Sequence, residues 1–444
     1  MGERADLLVT GGDVVTMDDA RTVVTGGAVV VRGGAVVAVV STDAARAAHP
    51  GVSEHDATGC LVLPGFVDAH QHLTGDRLVR CSIPDGIAAE EAVLRWAVPV
   101  HAHHGPDDDD LSATLACAEA LRNGVTTVIE AGTVAHPQRV AAAMQRTGIR
   151  GGIGTWGWDA PGQPHAAPPA EVVARQEAVL DAWPAGGRVE GWVTLVGHDL
   201  TSDELLVAAT DLARRRGARV TFHISPDERD GDAFVARTGH RPIEWLHRLG
   251  VLGPHLLLAH AARTSEAERD QLLTTRTAVA SCPWAYLRLA QGLPVHHADL
   301  CAMGGRIALG CDSENAGDQI DVLRAAALFA GLAGPAVRAA DALALATCRG
   351  AEAVGLGDRV GSITPGRRAD LVVLSPPRPR GADPALECVW GTDGRSVRDV
   401  LVDGRLVVRD GVLTMVDEAA ALEAAEERRR HLVARAGLPL ARRP

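Results

Sequence analysis

Between residues 64 and 350 the chain repeats one pattern: a short apolar run, a polar turn, then a longer stretch whose apolar positions follow helical spacing. Short apolar runs that alternate with helical segments are the sequence form of parallel βα units. Strands are predicted at Phe66–His72, Gly124–Glu130, Gly151–Trp156, Trp192–His198, Arg219–His223, His255–His260, Ala278–Pro283 and Arg306–Asp312. Leu111–Arg122 and Asp203–Arg216 between them carry helical periodicity. Eight strands, each followed by a helix, predict an α/β chain folded as a (β/α)8 TIM-type barrel, whose active site gathers at the C-terminal strand ends.

The two ends of the chain read differently. Asp6–Val9, Ala28–Val31, Ala35–Val40 and Cys60–Val62 are short strands punctuated by glycine, and Arg368–Val373 and Val397–Val408 look like more of the same. We therefore expect a small composite β-sandwich built from both termini (1–63 plus 360–415), a hydrolase-type barrel over 64–359, and a charged helical tail over 416–444. The default reading of that tail is a solvated or dimer-packing helix. The acidic run Asp107–Asp110, with His101, His103 and His104 beside it, reads as a solvated polar loop or helix start. His296–His297 reads as similar, or as lining the rim.

Several predicted strand ends carry metal-ligand residue types: His72, His198, His223, His260 and Asp312. In the segment Val62–Leu73 an apolar run ends in His70-Gln71-His72. Residues i and i+2 of a strand share a face, so the two imidazoles can reach one point. Alone, His-x-His is a weak signal. Further ligand types at the ends of later strands of one barrel make it strong.

Composition removes some chemistries. All 44 basic residues are arginine, so neither a lysine Schiff base nor a carbamylated lysine bridging two metals can form. A net charge of −12 argues against a nucleic-acid partner. No run of 18 apolar residues suggests a membrane span. The eight cysteines are scattered without a Cys-x-x-Cys pair, and the start of the chain lacks a signal-like pattern, so a reducing cytoplasm is expected.

These motifs resemble the amidohydrolase superfamily, in its deaminase and chlorohydrolase branch of adenosine-derivative and guanine deaminases and triazine hydrolases. The matching segments run collinearly along nearly the whole chain. They include Val62-Leu-Pro-Gly-Phe-Val-Asp-Ala-His-Gln-His72, Glu119-Ala-Leu-Arg-Asn-Gly-Val-Thr-Thr127, Leu257-Leu-Ala-His-Ala261, Leu309-Gly-Cys-Asp-Ser313 and Gly361-Ser-Ile-Thr-Pro-Gly-Arg-Arg-Ala-Asp-Leu371. The resemblance implies that His70, His72, His223 and Asp312 bind one divalent ion, zinc before iron. It implies that His260 holds the attacking water. Three neutral imidazoles and a carboxylate leave a position open for water and lower its pKa towards about 7. Asp312 then takes its proton as hydroxide attacks an electrophilic carbon.

The chain also departs from the branch. The fifth strand normally ends in His-x-x-Glu, whose glutamate shuttles a proton; here it reads His223-Ile-Ser-Pro226. Asp227 and Glu228 follow at once as candidate proton donors. The seventh strand carries Ser281-Cys-Pro-Trp-Ala-Tyr286 in place of the usual His-Cys-Pro-x-Ser-Asn. Trp284 and Tyr286 either remodel the pocket for a planar substrate or cap the barrel core. His198, Arg80 and Trp156 are further candidates for substrate contact, with core packing as the other reading for Trp156.

The function expected is metal-dependent hydrolysis of a non-peptide carbon–nitrogen bond. Its simplest form is deamination, or displacement of an amine or other leaving group, on a heterocyclic or amidine-like small molecule. The alternative is elimination, cyclisation or isomerisation of a specialised metabolite at the same metal. A homo-oligomer, a dimer, is expected.

Overall fold

The structure is a computed structural model and describes residues 5–74, 76–79, 83–84, 86–197, 200–226, 228–289, 291, 295–312, 320–381 and 383–438. Arg80, His198 and Asp227 lie outside the described residues.

Strands β1 (Leu7–Val15), β2 (Val23–Arg32), β3 (Ala35–Ser41), β4 (Ser53–Asp56) and β5 (Leu61–Pro64) open the chain. The barrel strands are β6 (Phe66–Gln71), β7 (Val125–Glu130), β8 (Arg150–Ile153), β9 (Val189–Gly191), β10 (Val193–Gly197), β11 (Val220–Ile224), β12 (Leu256–His260), β13 (Ala278–Ser281) and β14 (Arg306–Leu309). The last four are β15 (Leu371–Leu374), β16 (Val397–Val402), β17 (Arg405–Arg409) and β18 (Val412–Leu413).

Both ends of the chain meet in one sheet of order β18-β17-β16-β15-β5-β1-β2-β3, with β4 beside β1. The junction is β5 against β15, antiparallel, with Pro64 opposite Leu371. Alternation along these strands divides their side chains between two cores. Val62, Leu371 and Val373 face the β domain's own core, which also holds Val9, Val31 and Leu401. Leu61, Leu63, Val372 and Leu374 face the main core instead. Short Val- and Leu-rich strands suit this position, since both faces are dry.

The barrel strands are parallel and hydrogen-bond as β6-β7-β8-β9 and β10-β11-β12-β13-β14. Two seams close the ring. At one, Trp192 between β9 and β10 donates to Ile153 (2.8 Å) while Val193 donates to Arg219 (2.9 Å). At the other, just beyond β14, the Asp312 amide donates to the His70 carbonyl (2.9 Å), and Gln71 bridges Asp312 in parallel. The second seam therefore passes through two of the expected ligands.

The helix predicted over 203–216 has those bounds. Ser202 caps its start by accepting from the Leu205 amide (3.1 Å), and Gly217, at φ +62°, ends it. The helix predicted from Leu111 begins earlier, at Pro106, because Asp107–Asp109 suit a first helical turn.

The polar segments differ from expectation. Asp108 and Asp109 are buried, as are His101, His104 and His297. Asp109 binds His104 (2.8 Å) and His136 (2.9 Å). Asp108 binds Arg428 (3.1 Å) and Arg435 (2.8 Å). Those arginines lie on the tail helix, Glu418–Arg435, which buries Ala425, Leu432 and Val433 against Leu78, Val79, Val100 and Leu115. The acidic run is thus the dock for the chain's own tail.

Candidate metal centre

Four ligand-type atoms, one each from His70, His72, His223 and Asp312, lie within 4.8 Å of one another at the C-terminal strand ends. His70 and His72 come from β6 and the residue after it, His223 from β11, and Asp312 from beyond β14. Asp312 Oδ1 stands 3.4 Å from His70 Nε2 and 3.2 Å from His72 Nε2, and His72 Nε2 is 3.3 Å from His223 Nε2. Nitrogens packed this closely repel one another unless a cation or a proton lies between them.

Second contacts aim these rings. His223 Nδ1 donates to the Val196 carbonyl, which leaves Nε2 facing the centre. His72 Nδ1 donates to the Thr133 hydroxyl (2.9 Å), and Thr133 donates in turn to Glu130 Oε1 (3.3 Å). Glu130 is buried and also accepts from the amides of Gly132 (2.6 Å) and Thr133 (3.3 Å). Burial pushes its carboxyl up to about 7 against those donors. Asp68, wholly buried two residues before His70, accepts from the amides of Cys311 (3.0 Å) and His70 (3.2 Å). It thereby ties β6 to the segment that carries Asp312. Burial pushes the Asp68 carboxyl up to about 7.

Charge states suit a cation. Burial lowers the pKa of His70 and of His72, with Asp312 opposing in part, so both imidazoles are neutral at pH 7. Burial alone would raise the Asp312 carboxyl. Hydrogen bonding to His70 and His72 outweighs it and holds the group well below the usual carboxylate range. His70 Nδ1 has no hydrogen-bond partner among the described residues, and Nε2 has only the 3.4 Å approach to Asp312. A buried imidazole left that way is costly, and a divalent ion would satisfy it. The residues present therefore fit one.

His260 ends β12 beside this group, its ring centroid 5.3 Å from those of His70 and His223. It is neutral, since burial drives its pKa well below 6.5. Backbone strain concentrates here: Ser225 (φ +46°), His260 (+72°), Ala261 (+48°) and Asp312 (+62°) are all left-handed without being glycine.

The remaining candidates separate. Tyr286 is fully buried, its hydroxyl accepts from the Cys282 amide (3.0 Å), and burial pushes its pKa well above 10. Trp284 lies half-buried under the Arg324 guanidinium (3.8 Å). Trp156 is buried between His101 (ring centroids 5.5 Å apart) and Trp158 (4.8 Å). His101 touches the Thr74 hydroxyl (3.4 Å), which donates to the Thr133 carbonyl (2.9 Å). Trp156 thus stands on the side of the centre where Thr133 holds His72. Glu228 is exposed at the start of the helix Glu228–Thr238, and Pro226 precedes it at the end of β11's loop.

Asp68, Glu130, Thr133 and His101 were not among the residues expected from sequence. The run Val67-Asp-Ala-His70 offered one signal, since an acid two residues before the first ligand shares its strand face. Thr133 offered none.

A family model described as "Amidohydrolase family" matches residues 61–407. The chain is 31% identical over 431 residues to the 5-methylthioadenosine/S-adenosylhomocysteine deaminase of Syntrophobacter fumaroxidans, covering 94% of this chain and 96% of that protein. It is 29% identical over 443 residues to the 5'-deoxyadenosine deaminase of Methanothermobacter thermautotrophicus, covering 96% and 98%. Among solved structures it is similar to an adenosine deaminase from Xanthomonas campestris with bound zinc, at TM-score 0.91 and 28% identity over 98% of this chain and all of that one. The chain belongs to the amidohydrolase family and is, as the sequence led us to expect, an enzyme of that class, a metal-dependent hydrolase of carbon–nitrogen bonds.

Proposed function

We propose that this chain is a mononuclear zinc deaminase acting on an adenosine derivative. The observation that carries the reading is the converging set His70, His72, His223 and Asp312, three imidazoles, of which burial keeps His70 and His72 neutral, and one carboxylate. The deaminases of methylthioadenosine, S-adenosylhomocysteine and deoxyadenosine among the relatives support the substrate class. Zinc beside a similar chain supports the metal, and the lack of any lysine supports a single ion.

When bound, the ion supplies Lewis-acid activation of water at neutral pH. The chain's own residues do the rest. Asp312, ionised and held beside two imidazoles, is placed to accept a proton from the attacking water. His260, neutral and beside it, is placed to hold the attacking water by hydrogen bonding. Pro226 has no proton to give, so the carboxyl of Asp312 is the group we assign to carry the proton on to the leaving amine. Trp156, packed among His101, Trp158 and His165, backs the side of the centre on which Thr133 holds His72.

Asp312→Asn should lower kcat for ammonia release from 5'-methylthioadenosine by about three orders of magnitude or more, as loss of a proton-transfer group does. The product should take its new oxygen from labelled water. Near wild-type turnover by the variant, or turnover without ammonia, would overturn the reading.

A further inference from the structure

A second group of ligand types lies against the first. His260, Cys282 and Asp312 place one donor atom each within 4.8 Å of one another, and all three residues are buried. Cys282 follows β13, so this triad joins the ends of the sixth, seventh and eighth barrel positions, whereas the first group draws on the first, fifth and eighth. Asp312 belongs to both.

Local packing keeps the thiol in this place. A Cβ built on Gly310 would come within 2.9 Å of Cys282 Sγ and of His70 Cβ, so only glycine lets the sulfur sit beside the first ligand strand. The Tyr286 hydroxyl accepts from the Cys282 amide (3.0 Å) and fixes the turn from the opposite side. The Tyr286 ring also meets the His260 ring edge-on, with centroids 5.7 Å apart. An independent observation points to a ligand. His260 Nδ1 is buried and has no hydrogen-bond partner among the described residues, although its residue is only 5% exposed. A buried imidazole, a thiol and a carboxylate together make a donor set for a soft or borderline divalent ion.

We propose that His260, Cys282 and Asp312 form a second, inhibitory site for a thiophilic divalent cation such as zinc or cadmium. Occupancy takes from the reaction the two side chains that the proposed function needs most, Asp312 and His260, so the second ion stops turnover. It binds more weakly than the first, because the two dications share one carboxylate. Sulfur selects its occupant: zinc and cadmium inhibit in excess, and magnesium and manganese do not. The inference rests on the first site being a resident metal centre.

The test uses the full chain loaded with one equivalent of zinc and titrated with cadmium chloride. Calorimetry, the sulfur-to-cadmium charge-transfer band in the ultraviolet and residual activity are read together. Wild type should bind a second equivalent, show the band and lose activity. Cys282→Ser should keep its first equivalent and its basal turnover, lack the band, and need at least roughly tenfold more cadmium for half-inhibition. Cys282→Ala is the second variant, with thermal melting to verify folding. No second equivalent in wild type, or inhibition of both variants at wild-type cadmium concentrations, would overturn the inference. Failure of wild type to retain the first zinc equivalent would instead overturn the proposed function.

Discussion

His72 can present Nε2 to a cation only while Nδ1 carries the proton, and the Thr133 hydroxyl accepts the hydrogen bond from that Nδ1–H. Behind Thr133 stands Glu130, held in turn by two backbone amides, so the orientation of the ring is anchored in the loop after β7. Support of this kind commonly changes metal affinity about 10–100-fold. We expect Thr133→Val to weaken zinc binding by that order in chelator competition, with Thr133→Ser restoring it. Equal zinc affinity in Thr133→Val and wild type would show that the contact does not position the ring. At this scale the sequence was legible wherever residue type and periodicity agree. His70 and His72 announce themselves by sharing a strand face, and His260 and Asp312 by ending apolar runs. A hydroxyl three residues past a strand gives no such sign, because its role depends on a ring 61 residues away. Asp108 was misjudged for the same reason, since its partners Arg428 and Arg435 lie more than 300 residues further on.

Elements of the barrel were legible almost entirely, because two-sided burial leaves continuous apolar runs that few other structures tolerate. Their ends were less so: β8 stops at Ile153, three residues before the predicted limit, where its neighbours part and Trp156 turns to bond Val134 (3.1 Å). Helix Val295–Ala302 shows what decides such placements. His297 within it lies between two strands of the barrel. Its Nε2 donates to the Ala261 carbonyl (3.2 Å), and its Nδ1 accepts from the Ser281 hydroxyl (2.8 Å). Accepting at Nδ1 requires the neutral ring, and burial lowers its pKa to about 4 from 6.5. The folded state therefore binds fewer protons than the unfolded state between those values. The stabilisation is complete above about pH 6.5 and is lost as the pH falls towards 4. His297→Gln should flatten the fall of Tm between pH 6.5 and 4 relative to wild type. A slope identical to wild type would exclude His297 as a contributor.

At the scale of the whole molecule, the β domain and the barrel are joined by a buried ion cluster as well as by packing. Arg150 of β8 binds Asp370 (2.7 Å) and Asp403 (2.6 Å) of the β domain, and Arg368 reaches Asp403 from the other side (2.5 Å). Removing Arg150 leaves Asp370 buried and unneutralised, and breaking a buried pair in this way costs about 3–5 kcal/mol. Arg150→Ala should lose stability of that order in denaturant unfolding while the surviving folded fraction keeps its metal. A loss below about 1 kcal/mol would mean that packing alone holds the two parts together. No helix among the described residues is long and apolar enough to cross a membrane, in keeping with the composition. The left-handed residues around the centre have a wider consequence. His260, Ala261 and Asp312 hold left-handed conformations that glycine adopts most easily, and two of the three carry the side chains to which the proposed function assigns the chemistry. Robustness and turnover are therefore opposed at these positions. A lineage kept only for its sturdiness would drift there to glycine, and one kept for its chemistry would hold the strained residues in place.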